Sequence, residues 1–212
     1  MNSRLKSPGG VYLITADMTD TNALCELTAT LLKQSVVLLQ YRNKTADKQL
    51  QSFQAKALLT ICRVAGVPLI INDDWRLAME IGADGVHLGS ADAQPDFVRS
   101  QVGDGMLIGV SCYSDLVLAG HMSKQDVDYL AFGAVFASPT KPHAGTAALA
   151  VFGQAKALNK PLVAIGGITS DNSKQVLDAG ADFIAVISGV YSAPNPELAL
   201  SAYLQTFSKA SA

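Results

Sequence analysis

The sequence predicts an α/β fold, a single-domain (β/α)8 TIM barrel, and three observations carry that prediction. Short, nearly continuous apolar runs rich in β-branched residues alternate with longer stretches whose apolar residues recur at helical spacing. Eight such runs can be counted along the chain. The 212 residues suffice for one sizeable core but are few for two domains at about 150 residues each. An open doubly wound sheet is the alternative, because a sequence does not show whether the last strand closes onto the first. No glycine-rich dinucleotide turn and no phosphate loop with a lysine stands in the strand-to-helix setting that a nucleotide fold needs.

Taken in order, the strand candidates are residues 11–16, 36–42, 68–73, 85–88, 107–112, 129–135, 162–166 and 183–188. Between the second and third, Leu50, Phe53, Ala57, Leu58, Ile61 and Ala65 mark one face of a long helix that Gly66 and Pro68 end. Trp75, Leu77, Ala78 and Ile81 form a shorter helix closed by Gly82, and Val176, Leu177 and Ala179 another closed by Gly180. Asn195 before Pro196 and Glu197 is a cap followed by a residue preset for the first turn of a final helix through Leu198, Ala202 and Phe207, with 208–212 expected to fray. Ala83-Asp84-Gly85-Val86 and Ala181-Asp182-Phe183-Ile184 are locally similar, and Asp128-Tyr129 echoes them, as repeated βα units would.

Composition narrows the function. With 49% hydrophobic and 16% charged residues the chain is too apolar for disorder, and its formal net charge of −2 leaves no cationic excess for nucleic acid. The longest apolar run, residues 129–137, is far short of the roughly 18 residues of a membrane span. Arg4 and Lys6 lead only to Pro8, Gly9, Gly10 and a brief apolar stretch, so no secretory segment is recognised and a cytoplasmic location is expected. Cys25, Cys62 and Cys112 are widely spaced and read as reduced, packed thiols.

In a (β/α)8 barrel the reacting groups lie at the C-terminal ends of the strands. There the second strand ends in Gln40-Tyr41-Arg42-Asn43-Lys44, and alternation points Gln40, Arg42 and Lys44 one way, Tyr41 and Asn43 the other. Alone, Arg42 and Lys44 would read as a solvated strand end. Their company includes Asp73 and Asp92 on neighbouring loops, where two carboxylates repel unless a cation or proton lies between them. Mg²⁺ fits, since it takes one or two carboxylates and completes its shell with water and phosphate oxygens. Asp74 and Asp92 could each instead cap a following helix, and for Asp74 the cap is preferred. Gly166-Gly167 permits close backbone approach and, with the N–H groups after the eighth strand, matches the usual barrel phosphate site, an ordinary left-handed turn being the alternative.

At this point the chain resembles the thiamine phosphate synthase family, nearly end to end. The resemblance rests on Gln40-x-Arg42-x-Lys44, Ile71-Asn72-Asp73-Asp74, Ala83-Asp84-Gly85-Val86-His87-Leu88-Gly89-x-x-Asp92, Gly109-Val110-Ser111, Thr140-Lys141 and Ala164-Ile165-Gly166-Gly167-Ile168. It implies a Mg²⁺-using barrel enzyme that joins a hydroxymethylpyrimidine pyrophosphate to a thiazole phosphate. On that resemblance Asp73 and Asp92 hold the metal. Gln40, Arg42, Lys44, Asn72, Ser111 and Lys141 contact the pyrimidine pyrophosphate, with Arg42, Lys44, Ser111 and Lys141 as the catalytic set. Ser138, Thr140, Gly167, Ile187 and Ser188 hold the thiazole phosphate. The partners implied are these small molecules, with neither nucleic acid nor membrane among them. The loop 136–145 is long enough to serve as a lid.

Departures from the family pattern are Ser90 where Gln is common, Ser138 where Thr is usual, and the pairs Cys112-Tyr113 and Gly189-Val190. Cys112 is expected to be a packed thiol and His87 a barrel-interior residue rather than a ligand. A thiazole tautomerase, the nearest rival by resemblance, carries its catalytic His within a stretch that here reads Phe132-Gly133-Ala134-Val135-Phe136. A non-catalytic protein that binds thiamine precursors is the rival of another class.

Overall fold

The computed structural model of the protein describes residues 4–136 and 148–210. Its eight strands, β1 (Gly10–Ile14), β2 (Val36–Tyr41), β3 (Leu69–Asn72), β4 (Gly85–Leu88), β5 (Leu107–Tyr113), β6 (Tyr129–Phe132), β7 (Leu162–Ile165) and β8 (Phe183–Val186), pair in sequence order. All pairings are parallel, and β8 pairs with β1 through Gly10 opposite Phe183 and Leu13 opposite Val186. The sheet is therefore a closed barrel, and the open doubly wound alternative falls away.

Strand periodicity sorts the apolar side chains into two sets. Tyr12, Leu38, Ile70, Leu107, Tyr129 and Phe183 fill the barrel interior. Their neighbours Val11, Leu13, Leu39, Ile71 and Ile108 face outward and pack under the helices. The helical layer comprises α1 (Thr21–Leu31), α2 (Lys48–Ala65), α3 (Trp75–Ile81), α4 (Pro95–Val102), α5 (Leu116–Met122), α6 (Ala148–Ala155), α7 (Ser173–Ala179), α8 (Ser188–Tyr191) and α9 (Pro196–Ala210), with a 3₁₀ turn at Lys156–Leu158. Among the described residues no helix is long and apolar enough to cross a membrane.

The recurring aspartates now have a physical reason. Asp84, Asp128 and Asp182 each stand just before an even-numbered strand, and each carboxylate accepts the backbone N–H at the start of the preceding strand. Leu69 donates to Asp84 at 2.9 Å, Ile108 to Asp128 at 2.7 Å and Leu162 to Asp182 at 2.8 Å. These N–H groups lie at the barrel floor, where a sheet neighbour does not satisfy them, and an unpaired buried donor would cost about 1–3 kcal/mol. Arg4 and Arg99 complete the floor, both pairing with Asp126 and with the fully buried Asp128.

Three local expectations differ. The buried face of α2 is Gln54, Ala55, Leu58 and Cys62, while Phe53 is 65% exposed. The helix is turned because Gln54 is needed inside, where its Oε1 accepts from the Tyr41 hydroxyl at 2.8 Å and its Nε2 donates to the Met18 carbonyl at 2.9 Å. Most strands stop short of their expected ends, so that Arg42 and Asp73 sit in the connections above the barrel and Ser188 opens the short helix α8. The last helix runs on to Ala210, past its expected end near Phe207. Asn195 does cap it, accepting from the Leu198 N–H at 3.0 Å.

Candidate active site

The top of β2 is held by β1. Thr15, fully buried, donates its hydroxyl to the Arg42 carbonyl and accepts from the Arg42 N–H, both at 2.9 Å. This lifts Arg42 and Lys44 out over the rim. Asp17 then takes both in hand, pairing with the Arg42 guanidinium at 3.1 Å and accepting the Lys44 backbone N–H at 3.0 Å. Gln40 lies one step lower, almost fully buried, and its Nε2 donates to the Tyr12 hydroxyl at 2.8 Å.

At the end of β3 the chain turns sharply. Asp73 takes a left-handed φ of 63°, a conformation Asp tolerates better than most residues, and its N–H donates to the His87 carbonyl on β4 at 2.8 Å. That turn sends consecutive acids to different duties. Asp74 caps α3, accepting from the Leu77 N–H at 3.0 Å, and pairs with Lys48 at 2.8 Å. Although burial acts against ionisation there, Lys48 and the Leu77 amide hold the Asp74 carboxyl below its ordinary value. Asp73 faces the rim, with the Lys44 ammonium 3.5 Å away.

Asp92 reaches the same place from β4. It does not cap α4, whose N-cap is Gln94; its carboxylate instead accepts the Gly89 N–H at 2.6 Å. Burial, and after it the charge and direct contact of Asp73, push the Asp92 carboxyl above its ordinary value, against the pull of Gly89 and Lys44. The two carboxylates thus bear on each other with Lys44 as partial compensation, an arrangement short of positive charge. Their oxygen-only donor set suits a hard divalent ion such as Mg²⁺. Asn72, Asp73 and Asp74 line one cleft together with Arg42, Lys44 and Lys48, while Asp92 and Ser111 line another.

Ser111 on β5 meets His87, whose Nε2 lies 2.9 Å from the hydroxyl. His87 is an interior residue, stacked on Tyr129 with ring centroids 5.6 Å apart, and burial pushes its imidazole down to about 4 despite the nearby Asp73 charge, so the ring is neutral. Cys112 is fully buried, its thiol pushed up to about 12 chiefly by burial, as befits packing rather than chemistry. Ser90 shares a 3.0 Å hydrogen bond with the Tyr113 hydroxyl, which ties two of the departures from the family pattern to each other.

Across the rim, Gly166 and Gly167 have φ of 100° and 65°. A Cβ on Gly166 would lie 2.5 Å from that of Ala134, and one on Gly167 2.6 Å from the Phe136 carbonyl oxygen, so both positions require glycine. Ile187 precedes α8, a short helix after β8 whose first N–H groups, at Ser188 and Gly189, have no intrahelical acceptor. Tyr203 of α9 ties this corner together by donating to the Ile168 carbonyl at 2.9 Å. Ser138, Thr140, Lys141 and the expected lid beyond Phe136 lie outside the described residues. Sequence reasoning missed Thr15, Asp17, Tyr12 and Tyr129. The first two stand just past the end of β1.

Fold and rim define the class: a (β/α)8-barrel protein with polar groups gathered above its strands, and a glycine turn after β7 facing a short helix after β8, where barrels commonly bind phosphate. Residues 11–190 match the family model described as thiamine monophosphate synthase. The thiamine-phosphate synthase of Xylella fastidiosa is 48% identical over 203 residues, covering 96% of this chain and 86% of that protein. That of Bordetella pertussis is 46% identical over 211 residues, covering 96% and 97%. Among solved structures, a thiamine phosphate pyrophosphorylase from Pyrococcus furiosus superimposes with a TM-score of 0.81 at 29% identity, covering 98% of each chain. The chain belongs to the thiamine monophosphate synthase family.

Proposed function

We propose that this protein is an active thiamine phosphate synthase, a transferase that couples 4-amino-2-methyl-5-hydroxymethylpyrimidine pyrophosphate with thiazole phosphate to give thiamine monophosphate and pyrophosphate. The observation that carries the reading is the Asp73 carboxylate 3.5 Å from Lys44 at the rim, with its charge felt by Asp92, within a chain nearly half identical to synthases over almost its whole length. The carboxylate oxygens of Asp73 and Asp92 would hold Mg²⁺, which when bound neutralises charge on the diphosphate.

The chemistry asks little covalent work of the protein. Pyrophosphate leaves a benzylic-type carbon whose cation the ring's amino group stabilises, and the thiazole nitrogen attacks that cation. The chain's own task is to draw charge off the departing oxygens and to align the second substrate. Arg42, steered by Asp17, and Lys44, anchored through its backbone to the same acid, are aimed at the diphosphate. Lys141 is assigned the same duty and Ser111 donates a hydrogen bond. Gln40 and Asn72 orient the pyrimidine. Gly167, Ile187 and Ser188 present backbone N–H groups to the thiazole phosphate, helped by Ser138 and Thr140. Each cationic donor is worth about 2.7–4 kcal/mol by analogy with one oxyanion-hole donor.

The test is a two-substrate assay with and without Mg²⁺. Pyrophosphate and thiamine monophosphate are expected only with the metal. Turnover that survives complete chelation would remove the metal role. Tight thiazole phosphate binding with no product after prolonged incubation would make the chain a binding protein instead.

A further inference from the structure

We propose that a one-way chain of hydrogen bonds through the barrel interior makes the Ser111 hydroxyl an obligate donor to the substrate, with Tyr129 and His87 as its positioning residues. The inference rests on the functional reading above and deepens it. Four contacts form the chain. Gln40 Nε2 donates to the Tyr12 hydroxyl at 2.8 Å, and the Tyr12 and Tyr129 hydroxyls lie 2.9 Å apart. The Tyr129 hydroxyl lies 3.1 Å from His87 Nδ1, and His87 Nε2 lies 2.9 Å from Ser111 Oγ. The chain thus begins and ends on residues assigned to the pyrimidine substrate, and everything between them is buried.

Counting protons gives the direction. An amide nitrogen only donates, so the Tyr12 oxygen accepts from Gln40 and passes its own proton to Tyr129. If Tyr129 donated to Tyr12 instead, the Tyr12 proton would be buried with no further hydrogen-bond partner among the described residues. The Tyr129 proton goes on to His87 Nδ1. A ring that accepts at Nδ1 holds its proton on Nε2 and donates it to Ser111 Oγ, which leaves the serine proton directed away from the histidine. A diphosphate offers acceptors only, and a serine that arrives as a donor matches it. The opposite order, with the Gln40 amide turned over, would present lone pairs to an anion.

The packing shows that the chain's place was built for it. A Cβ on Gly109 would overlap the Tyr129 ring, so the glycine of the Gly109-Val110-Ser111 segment makes room for that ring two residues before the serine it positions. Tyr129 is stacked on His87 at an interplanar angle of 19° and meets Tyr12 edge-on at 90°, so the three rings pack against one another.

Two measurements test the chain. Long-range ¹H–¹⁵N NMR correlation on the unaltered protein at neutral pH, with His87 assigned through His87→Gln, reads which ring nitrogen is protonated. Nε2–H is expected; Nδ1–H would reverse the order and overturn the proposal. This arm reads the chain whether or not the protein turns over, so a missing reaction and a reversed proton order are separate results. In the kinetic arm, Tyr129→Phe should lower kcat about tenfold while KM for the pyrimidine diphosphate stays within about twofold. The same change in a Ser111→Ala background should lower kcat by less than about twofold. An equal tenfold loss in both backgrounds would reduce Tyr129 to a packing residue and overturn the proposal.

Discussion

The two ends of this barrel use the same residue types to opposite effect. At the floor, Asp128 is fully buried yet receives the Ile108 N–H and both Arg99 and Arg4, while Arg99 also donates to the carbonyls of Gly103 and Met106. At the rim, Asp73 and Lys44 remain 39% and 57% exposed at a separation of 3.5 Å, and burial and the charge of Asp73 both push the Asp92 carboxyl up. Charge at the floor is compensated within the chain, so it contributes to the fold. Charge at the rim is left partly uncompensated, so it stays available to a ligand. Burial of an ionised group is tolerated where pairing is complete, and a half-paired cluster marks where a ligand is to come.

That contrast can be broken in four places. The largest effect is expected from Asp73→Ala, which should lower kcat about a thousandfold, at the upper end of losses for a single charge-stabilising group, with little change in thermal midpoint. Steady-state pyrophosphate release checks it, and a loss below tenfold would mean that the rim acid is not functional. Next, Asp128→Ala should reduce unfolding free energy by about 3 kcal/mol because it strands buried arginine charge, while kcat per folded molecule stays within about twofold. Urea titration alongside the assay separates the two.

The third concerns acid. The unfolded chain protonates His87 near 6.5, whereas the folded protein resists until about 4, so the neutral, folded form loses ground as pH falls through that window. Stability should drop by about 2 kcal/mol between pH 7 and pH 5 from this residue. His87→Gln should flatten that slope, and an unchanged slope would assign the sensitivity elsewhere. The smallest effect is expected from Asp74→Ala, next in sequence to the first site tested. Losing a helix cap should cost about 1 kcal/mol of stability and change kcat less than about threefold. If Asp74→Ala and Asp73→Ala impair turnover equally, the division of labour between the two acids is wrong.

Much of the fold was readable from residue order. Apolar β-branched runs are what a strand covered on both faces requires, and the glycines at positions 66, 82 and 180 end helices because each takes up a left-handed φ. Closure was not readable, since pairing of Gly10 with Phe183 joins residues far apart in sequence and leaves no local mark. The face of α2 was misjudged because a buried glutamine satisfied by Tyr41 looks polar to any periodicity argument. At the site, Arg42, Lys44, Asp73 and Asp92 could be placed because barrel geometry fixes where strand ends go, and Asp74 could be separated from Asp73 by its distance from the next helix. Asp17 escaped because an acid that steers a base across two strands has no spacing of its own. The interior tyrosines escaped for a related reason: in sequence they look like ordinary core.

Arg4 crosses beneath the barrel to grip Asp126 and Asp128, and Leu5 behind it packs on the interior side chains. The segment leading into β1 therefore works as a stopper for the underside, and its value is out of proportion to its length. Shortening a recombinant version to begin at Gly9 would leave strand β1 intact and yet uncork the floor, with Asp126 and Asp128 left to Arg99 as their arginine partner. Anyone placing a cleavable tag or a fusion partner at this terminus should keep the arginine and its hydrophobic neighbour, even though neither is near the chemistry.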